Sequence, residues 1–196
     1  MLVTDDRLLA GRDVVDLALR AVRGGVTAVQ LRLKEASPRE LLEVARRLKA
    51  AVHVPILVND RPDVAGAAGV GVHLGPDDLP VELARRILPA KTLVGGSVGS
   101  VAEAERAGAA DYWGIGPWRA TGTKADAGAA LGADGFGRLV SLAGGRPCLA
   151  IGAVRPEDVP QVLAAGGAGV AIVSGILGQE DVEAAARAYA ERLGLR

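Results

Sequence analysis

Short apolar runs rich in Val, Ile and Leu alternate along the chain with longer stretches whose apolar positions recur at a helical period. The short runs predict buried parallel strands, and the periodic stretches predict amphipathic helices. Strands are expected at residues 1–4, 26–31, 55–58, 70–74, 92–97, 111–116, 147–151 and 169–173. Helices are expected at 13–23, 38–51, 62–68, 79–88, 100–107 and 134–143, then from Arg155 onward, and last at 182–193. Gly24-Gly25 ends the first helix. Ser37-Pro38-Arg39-Glu40 opens the second with an N-cap serine, a proline at the first helical position and an acidic third residue. The segment 117–132 is irregular and rich in Gly, Ala and Thr, and long loops of that kind are more often functional than decorative.

Strand-helix pairs in strict alternation, with no shift in composition along the way, point to an α/β fold: a single (β/α)8 TIM barrel domain formed by residues 1–196. An open doubly wound sheet is the rival, but its Gly-x-Gly-x-x-Gly signature is missing after the first strand. Hydrophobic residues make up 49% of the chain and aromatics 3%, so the core must be built from Val, Leu, Ile and Ala. The 23 basic and 23 acidic residues cancel, with no basic block and no aromatic-basic interleaving. Neither a nucleic-acid partner nor a polybasic membrane contact is expected. The uncharged stretch 159–179 approaches the length of a membrane span, but Pro160, Gln161 and Gly166-Gly167 break it into a helix, a turn and a strand. Cys148 is the one cysteine and sits in an apolar run, which fits a reducing, cytoplasmic setting; the first residues carry no signal-peptide pattern. Self-association into a homo-oligomer is left open.

In a barrel the carboxyl ends of all strands converge on one mouth, so polar residues scattered along the sequence can share a site. Gln30, Arg32 and Lys34 come from the second strand and its end, with period-two spacing that places them on one face. Asn59 and Asp60 come from the third, His73 and Asp78 from the fourth, and Ser97 from the fifth. Thr121, Thr123 and Lys124 lie in the long loop, and the turns Ile151-Gly152-Ala153 and Val173-Ser174-Gly175 close the seventh and eighth strands. Arg32 and Lys34 with Lys124 across the mouth can hold a pyrophosphate, while Asp60 and Asp78 can hold Mg²⁺, which favours a few carboxylates plus substrate phosphates. The bland readings are an Arg32–Lys34 strand end paired with Glu35, and Asp78 as a helix N-cap before Leu79-Pro80. The glycine-containing turns suit a second anion held by backbone amides, the usual phosphate position of such barrels. His73 is read as facing inward, either as a satisfied core histidine or as a substrate-lining group; His53 is placed at the opposite end of the barrel.

These segments resemble the thiamine-phosphate synthase family. The resemblance runs through Leu2-Val3-Thr4-Asp5, Val29-Gln30-Leu31-Arg32-Leu33-Lys34, Val58-Asn59-Asp60-Arg61 and Val72-His73-Leu74-Gly75-Pro76-Asp77-Asp78. It continues through Gly96-Ser97-Val98, Gly114-Ile115-Gly116-Pro117, Thr121-Gly122-Thr123-Lys124 and Val173-Ser174-Gly175-Ile176. The resemblance implies that the chain joins 4-amino-5-hydroxymethyl-2-methylpyrimidine diphosphate to 4-methyl-5-(2-hydroxyethyl)thiazole phosphate, releasing pyrophosphate with the help of Mg²⁺. It further implies that Arg32, Lys34, Asn59 and Lys124 hold the diphosphate and Asp60 with Asp78 the metal. Gln30, His73, Ser97, Thr121 and Thr123 would surround the pyrimidine and diphosphate. The amides near Ala153, Val173 and Ser174 would take the thiazole phosphate. Arg32, Lys34, Lys124 and Ser97 are then the expected catalytic groups. The chain departs from the family pattern at Leu33, Pro76-Asp77, Arg119-Ala120 and Ala153, the last at a position that is usually glycine. The related thiazole tautomerase is an alternative, but its acid-base histidine falls where this chain has Gly99. A non-catalytic paralogue that binds a phosphorylated ligand is the other.

Overall fold

A computed structural model of the chain describes residues 1–120 and 128–195. Strand β1 (Leu2–Val3) leads through a single turn, α1 (Asp6–Leu9), into α2 (Val14–Arg23), whose first amides are capped by the Asp13 carboxylate. Strand β2 (Val29–Leu31) is followed by α3 (Pro38–Ala51), opened by the expected reciprocal capping of Ser37 and Glu40. Then come β3 (Ile56–Asn59), α4 (Pro62–Ala68), β4 (Gly71–Leu74), α5 (Val81–Ile87), β5 (Val94–Val98), α6 (Val101–Arg106) and β6 (Tyr112–Ile115). The chain ends with α7 (Gly132–Ser141), β7 (Cys148–Ile151), α8 (Val159–Ala164), β8 (Gly169–Ala171), α9 (Ser174–Leu177) and α10 (Val182–Arg192).

The strands form one parallel sheet of eight in sequential order. A bridge between Leu2 and Ile172 closes it, reinforced by the Val3 amide donating to the Ile172 carbonyl at 2.9 Å. The result is the (β/α)8 barrel that the alternation predicts. Two short helices were not foreseen: α1 and α9 have four residues each, too few to show a period. The helix expected from Arg155 is broken into a 3-10 turn, Pro156–Asp158, and α8.

Alternation within each strand divides the barrel into two packed layers. Leu31, Val58, Val72, Leu74, Val94, Ile115 and Ala150 join the apolar cluster that meets the helices. Val3, Leu57, Tyr112 and Ala171 are equally buried but stand outside that cluster, because they fill the barrel interior. Trp113 and Phe136 supply much of the bulk of the outer layer, which is otherwise aliphatic. Cys148 belongs to the same layer, and burial pushes its thiol up to about 11, so it stays protonated.

Candidate active site

One row of the ladder organises the mouth of the barrel. Asn59 of β3 is in register with His73 of β4, His73 with Gly95 of β5, and Gly95 with Tyr112 of β6. Gly95 is there to make room. A Cβ on it would lie 2.2 Å from the Tyr112 ring, so the ring crosses the strand where that side chain is missing. Tyr112 thereby brings its hydroxyl within 2.8 Å of Nδ1 of His73, while Nε2 of the same imidazole is 2.9 Å from Oγ of Ser97. His73 and Tyr112 are buried, and Ser97 is half-buried at the end of β5. Burial raises the Tyr112 phenol well above its ordinary value.

The second strand delivers its groups differently from the expectation. Strand β2 stops at Leu31, so the alternation argument covers Gln30 but not Arg32 and Lys34. Gln30 donates from Nε2 to Oδ1 of Asn59 at 2.7 Å. Arg32 is buried, and its guanidinium lies 2.6 Å from Oδ2 of Asp5, not on Glu35; the two side chains are only 10% and 13% exposed. Thr4 extends the ladder with its side chain: Oγ1 accepts from the Arg32 amide at 2.8 Å and donates to the Arg32 carbonyl at 3.1 Å. Lys34 is exposed, and its amide donates to Oδ2 of Asp6 at 2.7 Å.

Asp60 leaves β3 in the left-handed region, with φ 64°, and its amide donates to the His73 carbonyl at 2.9 Å. A non-glycine residue held there re-aims its side chain at some conformational cost, which is a mark of functional positions. Asp78 lies in the loop after the neighbouring strand. It does not cap α5, which begins after Pro80 with no side-chain cap; its Oδ2 accepts from the Gly75 amide at 2.6 Å. Both carboxylates are partly exposed. Among the described residues no three His, Cys, Asp or Glu side chains gather into a metal-holding group. Asp60 and Asp78, as hard oxygen donors at adjacent strand ends, fit a Mg²⁺ that takes its remaining ligands from phosphates and water. Thr121, Thr123 and Lys124 lie outside the described residues.

The far side of the mouth is made of backbone. After β7, Gly152 has φ 97° and Ala153 φ 51°. A Cβ on Gly152 would meet Cα of Pro117 at 2.8 Å, because residues 117–119 run directly over this turn. The Trp118 amide donates to the Ile151 carbonyl at 2.8 Å and the Arg119 amide to the Gly152 carbonyl at 3.0 Å. The guanidinium of Arg119 grips Asp158 through two contacts, its Nε reaching Oδ2 at 3.1 Å. Asp158 is 3% exposed at its side chain. Further on, Leu131 and Gly132 donate to the carbonyls of Pro117 and Trp118, so the described ends of the loop are tied together. After β8, Val173 precedes α9 and Ser174 is its exposed first residue. Tyr189 of α10 joins the two turns: its hydroxyl donates to the Val154 carbonyl at 3.0 Å, and a Cβ on Gly175 would lie 2.3 Å from it.

The structure therefore brings Gln30 to Asn59 and His73 to Ser97, sets Asp60 and Asp78 on adjacent strand ends, and braces the turns of Ala153, Val173 and Ser174 against one another. His53 is exposed between α3 and β3, at the opposite end, as expected. Asp5, Tyr112, Asp158 and Tyr189 were not singled out from the sequence. Asp5 had a signal, an acid one polar residue past an apolar run, the habit already read at Asp60 after Asn59. Tyr112 had a weaker one, an aromatic residue spaced by two from Gly114 on a strand facing Gly95.

A family described as thiamine monophosphate synthase matches residues 1–176. A thiamine-phosphate synthase of Azorhizobium caulinodans is 47% identical over 192 residues, covering 95% of this chain and 90% of the relative. One of Methanoculleus marisnigri is 46% identical over 197 residues, covering 97% and 93%. The solved thiamine phosphate pyrophosphorylase of Pyrococcus furiosus superposes with a TM-score of 0.88 at 33% identity, covering 98% of this chain and 94% of that one. An orotidine 5'-phosphate decarboxylase of Pyrococcus horikoshii, at 14% identity and a TM-score of 0.72, shares the fold alone. The chain belongs to the thiamine monophosphate synthase family and is a transferase.

Proposed function

We propose that this barrel, as one domain of residues 1–196, joins hydroxymethylpyrimidine diphosphate to hydroxyethylthiazole phosphate, giving thiamine phosphate and pyrophosphate. The observation that carries the reading is the paired construction of the mouth. One side presents amide, carboxylate and cationic side chains from β2 to β5; the other presents the braced turns after β7 and β8. Two differently built sides of one mouth would suit two phosphorylated substrates better than one.

In this reading Arg32 and Lys34 with Lys124 hold the diphosphate, and Asn59, oriented by Gln30, adds an amide donor. Asp5 keeps Arg32 in place, so its remaining N–H groups are presented without a search over rotamers. Asp60 and Asp78 would hold Mg²⁺, which when bound supplies positive charge to the leaving diphosphate. The pyrimidine methylene carbon loses pyrophosphate first, leaving a carbocation, and the thiazole nitrogen then attacks it. No protein nucleophile is required. The work of the chain is electrostatic: cations and hydrogen-bond donors stand where charge develops on the leaving group. The turns at Ala153 and Val173-Ser174 would seat the thiazole phosphate. Cytoplasmic residence fits a single, buried cysteine, Cys148, and among the described residues no helix is long and apolar enough to cross a membrane.

The tautomerase alternative loses ground at Gly99. A Cβ there would lie 2.9 Å from the Gly116 carbonyl oxygen, so the histidine that activity would need does not fit without a shift of the backbone just past β6. The deciding assay supplies purified protein with both substrates, in Mg²⁺ or in EDTA, and follows thiamine phosphate and pyrophosphate. Equal amounts of both products in Mg²⁺ and loss of both in EDTA are expected. Folded protein that forms neither at saturating substrate would overturn the reading.

A further inference from the structure

The hydrogen-bonded row Tyr112–His73–Ser97 runs from the barrel interior to its mouth and ends on a half-buried hydroxyl. It can be oriented in two ways while all three groups stay neutral. In one, the phenol donates to Nδ1, the imidazole proton sits on Nε2 and is donated to Ser97 Oγ, and the serine proton points onward. In the other, every proton is reversed: serine donates to Nε2, Nδ1 donates to the phenol oxygen, and the phenol proton must find a different acceptor.

Packing decides between them. Among the described residues Tyr112 Oη makes no hydrogen bond except to His73, and one of its faces is covered by Gly95, whose Cβ position lies 2.4 Å away. Burial raises the phenol far enough that it keeps its proton throughout the ordinary pH range. The reversed row would therefore strand a buried donor, a cost large enough to choose between two neutral tautomers. Gly114 completes the arrangement by leaving the imidazole its space: a Cβ there would be 3.3 Å from Cε1 of His73.

We propose that Tyr112 is a positioning residue: by donating to Nδ1 of His73 it fixes the imidazole proton on Nε2, and so turns the Ser97 hydroxyl into a hydrogen-bond donor aimed at substrate. Nothing in the synthase chemistry above needs a proton moved by this row. Its use is to present one oriented donor at the edge of the diphosphate and pyrimidine site, ready before substrate arrives. The kinetic part of this inference rests on the synthase reading; the tautomer itself does not.

The test uses ¹⁵N spectra of the imidazoles in the whole, substrate-free protein, beside steady-state kinetics. The chain has two histidines, and the exposed His53 serves as the internal reference. His73 is expected as the Nε2–H tautomer in the wild type. In Tyr112→Phe, which keeps the ring in its Gly95 socket, that preference is expected to be lost. The same variant should lower kcat about 10-fold with KM for both substrates within about twofold, the loss expected when one oriented neutral donor to the transition state goes. Ser97→Ala should lower kcat similarly, keep the wild-type tautomer, and show no further loss when Tyr112→Phe is added. An Nδ1–H tautomer in the wild type, or a tautomer unmoved by Tyr112→Phe, overturns the proposal whatever the kinetics show. Absence of turnover in the wild type counts against the synthase reading, and the spectra still decide the row.

Discussion

The two sides of the barrel mouth are built from different materials. On the β2–β5 side, side chains hold other side chains: Gln30 holds Asn59, Asp5 holds Arg32, and Tyr112 with Ser97 holds His73. On the β7–β8 side the mouth is lined by main chain, and the side chains of Tyr189 and the Arg119–Asp158 pair brace it from behind. Each side also contains a non-glycine residue in the left-handed region, Asp60 at φ 64° and Ala153 at φ 51°. An aspartate tolerates that conformation because its short polar group bonds locally; an alanine has no such compensation. Strain therefore aims a carboxylate on one side, whereas on the other it only shapes a turn. Substitutions that remove charge should tell on the first side, and those that alter bracing or backbone freedom on the second.

The largest effect is expected at Asp60. Asp60→Asn keeps a residue that accepts positive φ and nearly the same volume, so the unfolding midpoint should stay within a degree or two. Losing the carboxylate removes half of the proposed metal pair, and turnover should fall about 100-fold, with the Mg²⁺ concentration for half-maximal rate raised. A titration of initial rate against Mg²⁺ reads both. Normal rate and normal Mg²⁺ dependence would remove Asp60 from the site.

A middle-sized effect, on stability more than rate, belongs to Asp158. Burial pushes its carboxyl up, but the Arg119 guanidinium and the Arg155 amide outweigh that and hold it below the usual carboxylate range. Asp158→Ala strips Arg119 of its partner and frees the Arg155 amide, and should cost about 1.5–3 kcal/mol in urea unfolding, as for hydrogen bonds to charged groups. Because the folded-state pKa is the lowered one, this contribution is complete above the unfolded value of about 4 and is lost as pH falls through the folded value. The gap between wild type and variant should therefore be full at neutral pH and close in acid. With residues 117–119 less firmly seated over the β7 turn, KM for the thiazole phosphate should rise severalfold and kcat change little.

What could be read from the sequence follows the same division. The barrel and the strand-end positions of Gln30, Asn59, Asp60, His73 and Ser97 were legible because each is a polar residue in or just past an apolar run, a contrast one strand shows alone; Asp78 was legible only by its place in the loop after the fourth strand. Arg32 was legible as a cation but not as the partner of Asp5, which lies 27 positions away and meets it only through the β1–β2 pairing. Tyr112 was illegible for a related reason: its role depends on register with Gly95 and on the hole that glycine leaves. Tyr189 reads as an ordinary apolar position of the last helix, and only the packing of α10 against the turn at Gly175 gives its hydroxyl a task. The helices α1 and α9 escaped because one turn carries no period.

The smallest effect, and the sharpest use of the comparison, is Ala153→Gly. Holding alanine in the left-handed region costs about 1–2 kcal/mol, and glycine returns about 0.4–1 kcal/mol of that through the larger entropy of its unfolded chain. A net gain of about 0.5 kcal/mol is expected, a rise in Tm of about 1–2 °C for a chain of this length. The amide that would face the thiazole phosphate is present in both forms, so KM for that substrate should change by less than about twofold. Asp60→Gly relieves strain of the same kind at the opposite edge of the mouth, but it removes a charge and should abolish most turnover. Relief of strain on both sides with loss of turnover on one side only is what a side-chain site facing a main-chain site requires; a large gain in activity at Ala153→Gly would instead show that its methyl group obstructs the phosphate.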